Sequence, residues 1–312
     1  MKNSIWYNVN VIISVINGKG ISSSLNVDGK TLSSFKSGGI VRALVFPKNE
    51  SELVTTIRLI RTYNVPYFIL GNGTNTLIPD KGFNGIFVSL KKLNSVEFDG
   101  NNVTAGAGVS ILRLYAQAMN LSLSGLERFA GIPGTIGGAT IKNAGCFGAD
   151  LSPLVQQVEG IDKVHLTNVV LEKSQLNFSY RSSNDSFSNL IITKVKLQLT
   201  PEDQNHIKRL KQEYSLKRKL LQPSAPSLGS VFLKPDLDLS AGYYIEKAGL
   251  KGARIGGAEI SSKHANFIIN NGNATSGDYL SLVELAQSVV KNKFDVSLKP
   301  EIDIIGEVQI EY

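Results

Sequence analysis

Between Val41 and Leu90 the chain alternates short, nearly unbroken apolar runs with one amphipathic stretch. "VRALVFP" (41–47), "VPYFILG" (65–71) and "GIFVSL" (85–90) are rich in β-branched and aromatic residues. Runs of this length predict strands, and their lack of alternation predicts burial on both faces. "NESELVTTIRLIRTYN" (49–64) instead carries Leu53, Ile57 and Ile60 at helical spacing, with Asn49 or Ser51 as its N-cap. The unit is β-α-β. A glycine-rich stretch, "LGNGTNTLIPDKGFNG" (70–85), follows its second strand, at the carboxyl end where open α/β sheets take ligands.

From Val96 to about Thr200 the pattern turns toward strands: "NNVTAGAGVS" (101–110), "VEGIDKV" (158–164), "VVLEKSQL" (169–176) and "LIITKVKLQL" (190–199), with one helix at "SILRLYAQAMNL" (110–121). A separate α+β region starts near Pro201. In it "HIKRLKQEYSLKRK" (206–219), "AGYYIEKAGL" (241–250) and "SGDYLSLVELAQSVVKNKF" (276–294) read as helices. "GARIGGAEIS" (252–261), "HANFIIN" (264–270) and "EIDIIGEVQI" (301–310) read as strands, and the polar "QPSAPS" (222–227) as a linker or loop. "NVNVIISVI" (8–16) is a short apolar patch broken by Asn8, Asn10 and Ser14, to which no element is assigned.

At 312 residues, with 42% hydrophobic and 19% charged positions, the chain is the size and composition of a soluble protein of two domains or three small ones. No apolar run approaches ~18 residues and no secretory cleavage pattern is visible, so a cytoplasmic protein without a membrane partner is expected. One cysteine, Cys146, rules out an intrachain disulfide, and no metal site is expected. The net charge of +7 raises the question of nucleic acid. The densest basic stretch, 206–219, lacks the interleaved aromatics of a stacking platform and reads as a solvated helix face. A diffuse positive field also suits a small substrate with several negative charges.

The second glycine-rich stretch, "GIPGTIGGATIKNAGCFG" (131–148), holds six glycines in eighteen residues. Glycine loses the most backbone entropy on folding, so such density points to positive-φ turns or to backbone that approaches a ligand closely. Neither stretch has the spacing G-x-G-x-x-G or G-x-x-x-x-G-K-[ST], which argues against an ATPase. Neutral main-chain N–H groups can nonetheless cradle phosphates without a lysine.

Together the two stretches resemble the flavin-cradling segments of the UDP-N-acetylenolpyruvoylglucosamine reductase family, which has the vanillyl-alcohol-oxidase (PCMH-type) FAD fold. The likeness continues in order through "SYRSS" (179–183), "SLGSVFLKP" (227–235), "AGLKGARIGGAEISSKHANFIIN" (248–270) and "KPEIDIIGEV" (299–308). It implies an α+β chain. An N-terminal segment (1–30) would precede a two-subdomain FAD-binding PCMH-type domain (31–200, subdomains about 31–95 and 96–200), and a smaller α+β substrate-binding domain (201–312) would follow. It also implies FAD and NADPH as cofactors and a UDP-N-acetylmuramate dehydrogenase activity on a nucleotide-sugar substrate, in peptidoglycan precursor synthesis. A monomer is the favoured assembly.

By motif, the resemblance puts Gly71, Asn72, Gly73, Thr74 and Asn75 on one wall of the FAD site. Gly131, Ile132, Pro133, Gly134, Gly137, Gly138 and Asn143 form the other. Arg181 and Glu301 fall on the carboxylate-stabilising pair and Ser230 on the proton donor, with Glu301 useful only if protonated. Tyr180, Tyr243 (or Tyr244) and Lys251 are substrate candidates, and Tyr180 could instead pack beneath the flavin. Two alternatives stay open, a related flavoenzyme acting on a different unsaturated acid or sugar nucleotide and an oxidase with flavin attached through Cys146; a non-catalytic nucleotide-binding module would not explain Arg181, Ser230 and Glu301 together.

Overall fold

The computed structural model describes residues 2–181 and 187–306, with side chains from residue 5 onward. The expected mixture of helices and strands is present, but the chain begins differently. Lys2–Gly18 is a helix, α1, and Ser22–Asp28 is a strand. Val9, Ile12, Ile13 and Ile16 fall at i, i+3, i+4 and i+7 and are all buried. Asn8, Asn10 and Ser14 lie off that stripe, so the polar residues that break the apolar patch are what make it amphipathic.

Ser22–Asp28 is the edge of a four-stranded sheet, antiparallel to Ile40–Phe46, which runs parallel to Phe83–Ser89 and through it to Tyr67–Leu70. Glu50–Thr62 forms α2, the crossover helix, and Asn49 rather than Ser51 is its cap, accepting from the Glu52 amide. Val96–Asp99, Asn102–Gly106, Val155–Asp162, Asn168–Glu172 and Leu190–Gln198 make an antiparallel five-stranded sheet. Helix α3 (Ile111–Asn120) packs there, and the second glycine stretch contains a short helix, α4 (Ile136–Ile141), capped by Thr135. One hydrophobic core joins α1, α2, α3 and both sheets.

Helix α5 (Gln204–Leu221) leads to a third, antiparallel sheet of Ser227–Ser230, Phe267–Asn270, Ala258–Ile260 and Arg254–Ile255. Ala241–Lys247 (α6) and Ser276–Phe294 (α7) cover it around a second core. "GARIGGAEIS" is therefore two short strands turning at Gly256, whose φ is +53°. Within the described residues the last strand is only Asp303–Ile304, since residues 307–310 of that expectation lie outside them.

The N-terminal half plugs into this second core. Phe35 and Leu77 are buried in it, and the Phe35 ring meets Tyr279 edge-on at 4.8 Å. Asp80 caps α7, accepting from the amides of Ser276 (2.9 Å) and Gly277 (3.1 Å). The chain's end returns the contact, as Asp303–Ile304 runs parallel to Thr76–Leu77.

Candidate active site

A cavity of about 670 Å³ lies between the two glycine stretches, the start of the third sheet and the returning C-terminal strand. Gly71, Asn72, Gly73, Thr74 and Asn75 all line it. The amides of Gly71 to Thr74 have no hydrogen-bond partner among the described residues. Gly73 has φ +67°, and a Cβ there would run into the Leu32 carbonyl. Only glycine turns the chain so sharply at that point. Asn72 Nδ2 donates to the Pro133 carbonyl (2.7 Å), tying this loop to the second stretch.

Gly131, Ile132, Pro133, Gly134 and Gly138 of the second stretch line the cavity beside it. A Cβ on Gly134 would meet no atom closer than 3.7 Å, and on Gly138 none closer than 3.4 Å. Side chains at either position would fit the backbone and occupy cavity volume. Open amides on one wall and missing side chains on the other suit a group that presents phosphate oxygens to main-chain N–H donors. The residues present fit FAD.

Four expected site residues belong elsewhere. Gly137 does not line the cavity: its N–H bonds the Ala107 carbonyl (2.9 Å), and a Cβ would sit 2.7 Å from that of Ala107. Its bareness lets α4 pack closely. Asn143 is buried with φ +38°, donates to Ser179 O (2.9 Å) and accepts from Ser152 N (3.0 Å), so it braces the chain around Arg181. Lys251 pairs with Glu246 at 3.1 Å, and Tyr243 meets Tyr244 edge-on; neither lines the cavity. Tyr180 does line it, with its ring 4.9 Å from the Arg181 guanidinium.

Arg181, Ser230 and Glu301 come together on one side of this cavity. Ser230 ends a strand after Gly229 (φ +79°) and pairs with Phe267. The Glu301 amide donates to the carbonyl of Val231, the residue after Ser230 (2.8 Å). Asn266 holds this segment from beneath, accepting from Phe232 N (3.0 Å) and donating to Phe232 O (2.9 Å). Arg181 Nε lies 3.6 Å from Glu301 Oε1, beyond hydrogen-bond length.

Burial pushes the Glu301 carboxyl above the usual range, outweighing the downward pull of Arg181 and Lys142. That environment favours the protonated form, which can donate. Burial likewise raises the Cys146 thiol against the pull of Arg218, and the thiol donates to the Arg128 carbonyl (2.9 Å). This is not the thiolate environment a reactive cysteine needs. His264 also lines the cavity, its pKa lowered by burial and by Lys251.

Sequence reasoning missed Lys142, Asp303 and Asp150, which hold Arg181 and Glu301, and named Asn75 only as part of the FAD site. Lys142 pairs with Asp303 at 2.6 Å beside Glu301. Asn75 Nδ2 donates to the Glu301 carbonyl (3.0 Å). Asp150 grips Arg181. One signal was available: Asp303 follows Glu301 by two residues, the spacing that puts strand side chains on one face.

Two family models match the chain: "FAD binding domain" over residues 41–168 and "UDP-N-acetylenolpyruvoylglucosamine reductase, C-terminal domain" over 222–305. The UDP-N-acetylenolpyruvoylglucosamine reductase of Caldanaerobacter subterraneus is 42% identical over 284 residues, 91% of this chain and 93% of that protein. The corresponding reductase of Caldicellulosiruptor bescii is 40% identical over 283 residues, 90% of each. Among solved structures, the reductase from Thermus caldophilus superposes with a TM-score of 0.76 at 31% identity, over 91% of this chain and 98% of that one. The chain belongs to the UDP-N-acetylenolpyruvoylglucosamine reductase family.

Proposed function

We propose that the protein is an FAD-dependent oxidoreductase that uses NADPH to reduce UDP-N-acetylenolpyruvoylglucosamine to UDP-N-acetylmuramate, in the cytoplasm, for peptidoglycan precursor synthesis. The supporting observation is the meeting of Arg181, Ser230 and Glu301 at one cavity that both glycine stretches also line. Among the described residues no helix is long and apolar enough to cross a membrane. The domain division, with residues 201–312 carrying the substrate end, follows the two larger of three apolar cores, although Phe35 and Leu77 lie in the second and Ile207 in the first.

In this reading the amides of Gly71 to Thr74, with the Gly131–Gly134 backbone and Gly138, hold FAD. When bound, FAD supplies the hydride it has taken from NADPH. As negative charge builds on the substrate carboxylate, Arg181 and protonated Glu301 donate to its oxygens. Ser230 gives a proton to the carbon beside that carboxylate, on the face set by the strand that carries it. Tyr180 closes one face of the Arg181 guanidinium against water.

Anaerobic rapid mixing tests the assignment. The protein should purify yellow with FAD that is released on denaturation, bleach with NADPH, and recolour with the enolpyruvyl sugar nucleotide. A colourless protein that cannot be reconstituted, or a reduced one that this substrate leaves reduced, would overturn it. Gly138→Val should fold but lose FAD, because its side chain takes cavity volume rather than core volume. Full flavin content with an unchanged circular dichroism spectrum would show that the cofactor does not reach that wall. Gly137→Val should lose FAD as well, by lifting α4 off Ala107, and so should also lower thermal stability.

A further inference from the structure

The guanidinium of Arg181 is held more tightly than an arginine that only meets a ligand needs to be. Its backbone sits at φ +53°, a strained conformation for a long side chain that persists only where surroundings enforce it. Nη1 donates to Asp150 Oδ1 (2.7 Å) and to the Asn143 carbonyl (3.2 Å), and Nη2 donates to the Gly145 carbonyl (2.8 Å). A guanidinium has five N–H donors. These bonds occupy three, leaving Nε–H and one Nη2–H.

The carboxylate and one carbonyl come from a single device. Gly145–Cys146 and Ala149–Asp150 form a hairpin in which Gly145 and Asp150 are directly paired. Its two-residue turn, Phe147 (φ +51°) and Gly148 (φ +76°), has the positive dihedrals of the tight hairpin type. Residue 145 is bare where the pair meets, since a Cβ there would run into both Asp150 Oδ1 and Arg181 Nη1. The tip is pinned from outside: Phe147 stacks on Tyr214 of α5 at 5.7 Å. Arg181 is the side chain this hairpin is shaped around.

We propose that Asp150 is a positioning residue for the reaction. Its carboxylate, with the Gly145 and Asn143 carbonyls, takes the far side of the guanidinium, so that Nε–H and the remaining Nη2–H are turned to Glu301 and the cavity. Asp150 touches no reacting atom and acts through Arg181. The inference rests on the reading that Arg181 holds the substrate carboxylate.

Four proteins test it by anaerobic rapid mixing of FAD-loaded enzyme: Asp150→Ala, Asp150→Asn, Arg181→Ala and the Arg181→Ala/Asp150→Ala double variant. Asp150→Ala should keep its FAD and its rate of reduction by NADPH. Reoxidation at saturating substrate should slow by about 10–10²-fold, the loss expected from a misplaced group. Asp150→Asn, whose amide oxygen can still accept from Nη1, should recover most of that loss. The double variant should reoxidise no more slowly than Arg181→Ala alone, because the two residues act as a unit. A slow Arg181→Ala with a fast Asp150→Ala would sink the positioning role alone. So would multiplied losses in the double variant, or an equal loss in both half-reactions for Asp150→Ala. Full-speed reoxidation in Arg181→Ala would sink the carboxylate assignment itself, and the inference with it.

Discussion

Ser230→Ala should bind FAD and accept hydride from NADPH at close to the wild-type rate, then reoxidise with the enolpyruvyl sugar nucleotide about 10²–10⁴-fold more slowly, the range for losing a positioned acid. The selectivity follows from where the residue sits. Ser230 is the last residue of its strand, after a glycine whose φ of +79° turns the chain toward the cavity. Its neighbours carry the scaffold: Val231 accepts the Glu301 amide and Phe232 is clamped by Asn266. Removing one hydroxyl leaves those backbone bonds in place, so binding and the first half-reaction have no reason to change. Ser230→Cys, which can still donate, should regain part of the rate. If Ser230→Ala reoxidises at full rate and yields product protonated on the same face, the acid is water or another group.

Arg181→Ala and Glu301→Ala should each slow reoxidation by about 10²–10³-fold, the scale for one charge-stabilising donor, with reduction by NADPH much less affected. Equal loss in both half-reactions would mean that these residues serve the fold or the nicotinamide instead. Glu301 also carries a pH signature. Its carboxyl is raised by burial, and the protonated form is the useful one, so reoxidation should fall as pH rises through that raised pKa. Glu301→Gln keeps a donor of the same shape that cannot ionise. It should stay within about tenfold of wild type and lose this limb of the pH profile. A Gln variant with the wild-type pH profile would assign the limb to a different group.

Beyond the N-terminal segment, where α1 and the Ser22–Asp28 strand were not assigned, most strands and helices were legible because their periodicity is local. Helix α7 runs over Ser276–Phe294, the stretch its apolar spacing marks, and Asn49 caps α2. Helix α4 was not, since six residues rich in glycine and β-branched side chains carry no helical preference, and the Thr135 cap and packing on Ala107 decide the matter. In the site, the glycines announced backbone that needs no side chains, but a sequence does not say which way the missing Cβ would point. Gly138 faces the cavity and Gly137, next to it, faces the core. The partners that hold the trio were hidden by distance along the chain: Lys142 and Asp303 are 161 residues apart, and Asp150 and Arg181 are 31. Tyr243 and Lys251, named as substrate candidates, lie outside the cavity, where Tyr243 meets Tyr244 edge-on and Lys251 pairs with Glu246.

The bond from Asn75 to the Glu301 carbonyl spans 226 residues, and the Asp303–Ile304 strand pairs with Thr76–Leu77 across the same gap. During synthesis the first loop must therefore wait, with its partner strand missing, until residues 303–304 have left the ribosome. Contacts of such long range form late, after the local pairings that reward them are in place. A nascent or prematurely terminated chain can contain every residue of both glycine stretches, 70–85 and 131–148, and still lack the carboxyl at 301. The residues assigned to the cofactor and the last of those assigned to turnover are thus made at different moments in the life of one molecule.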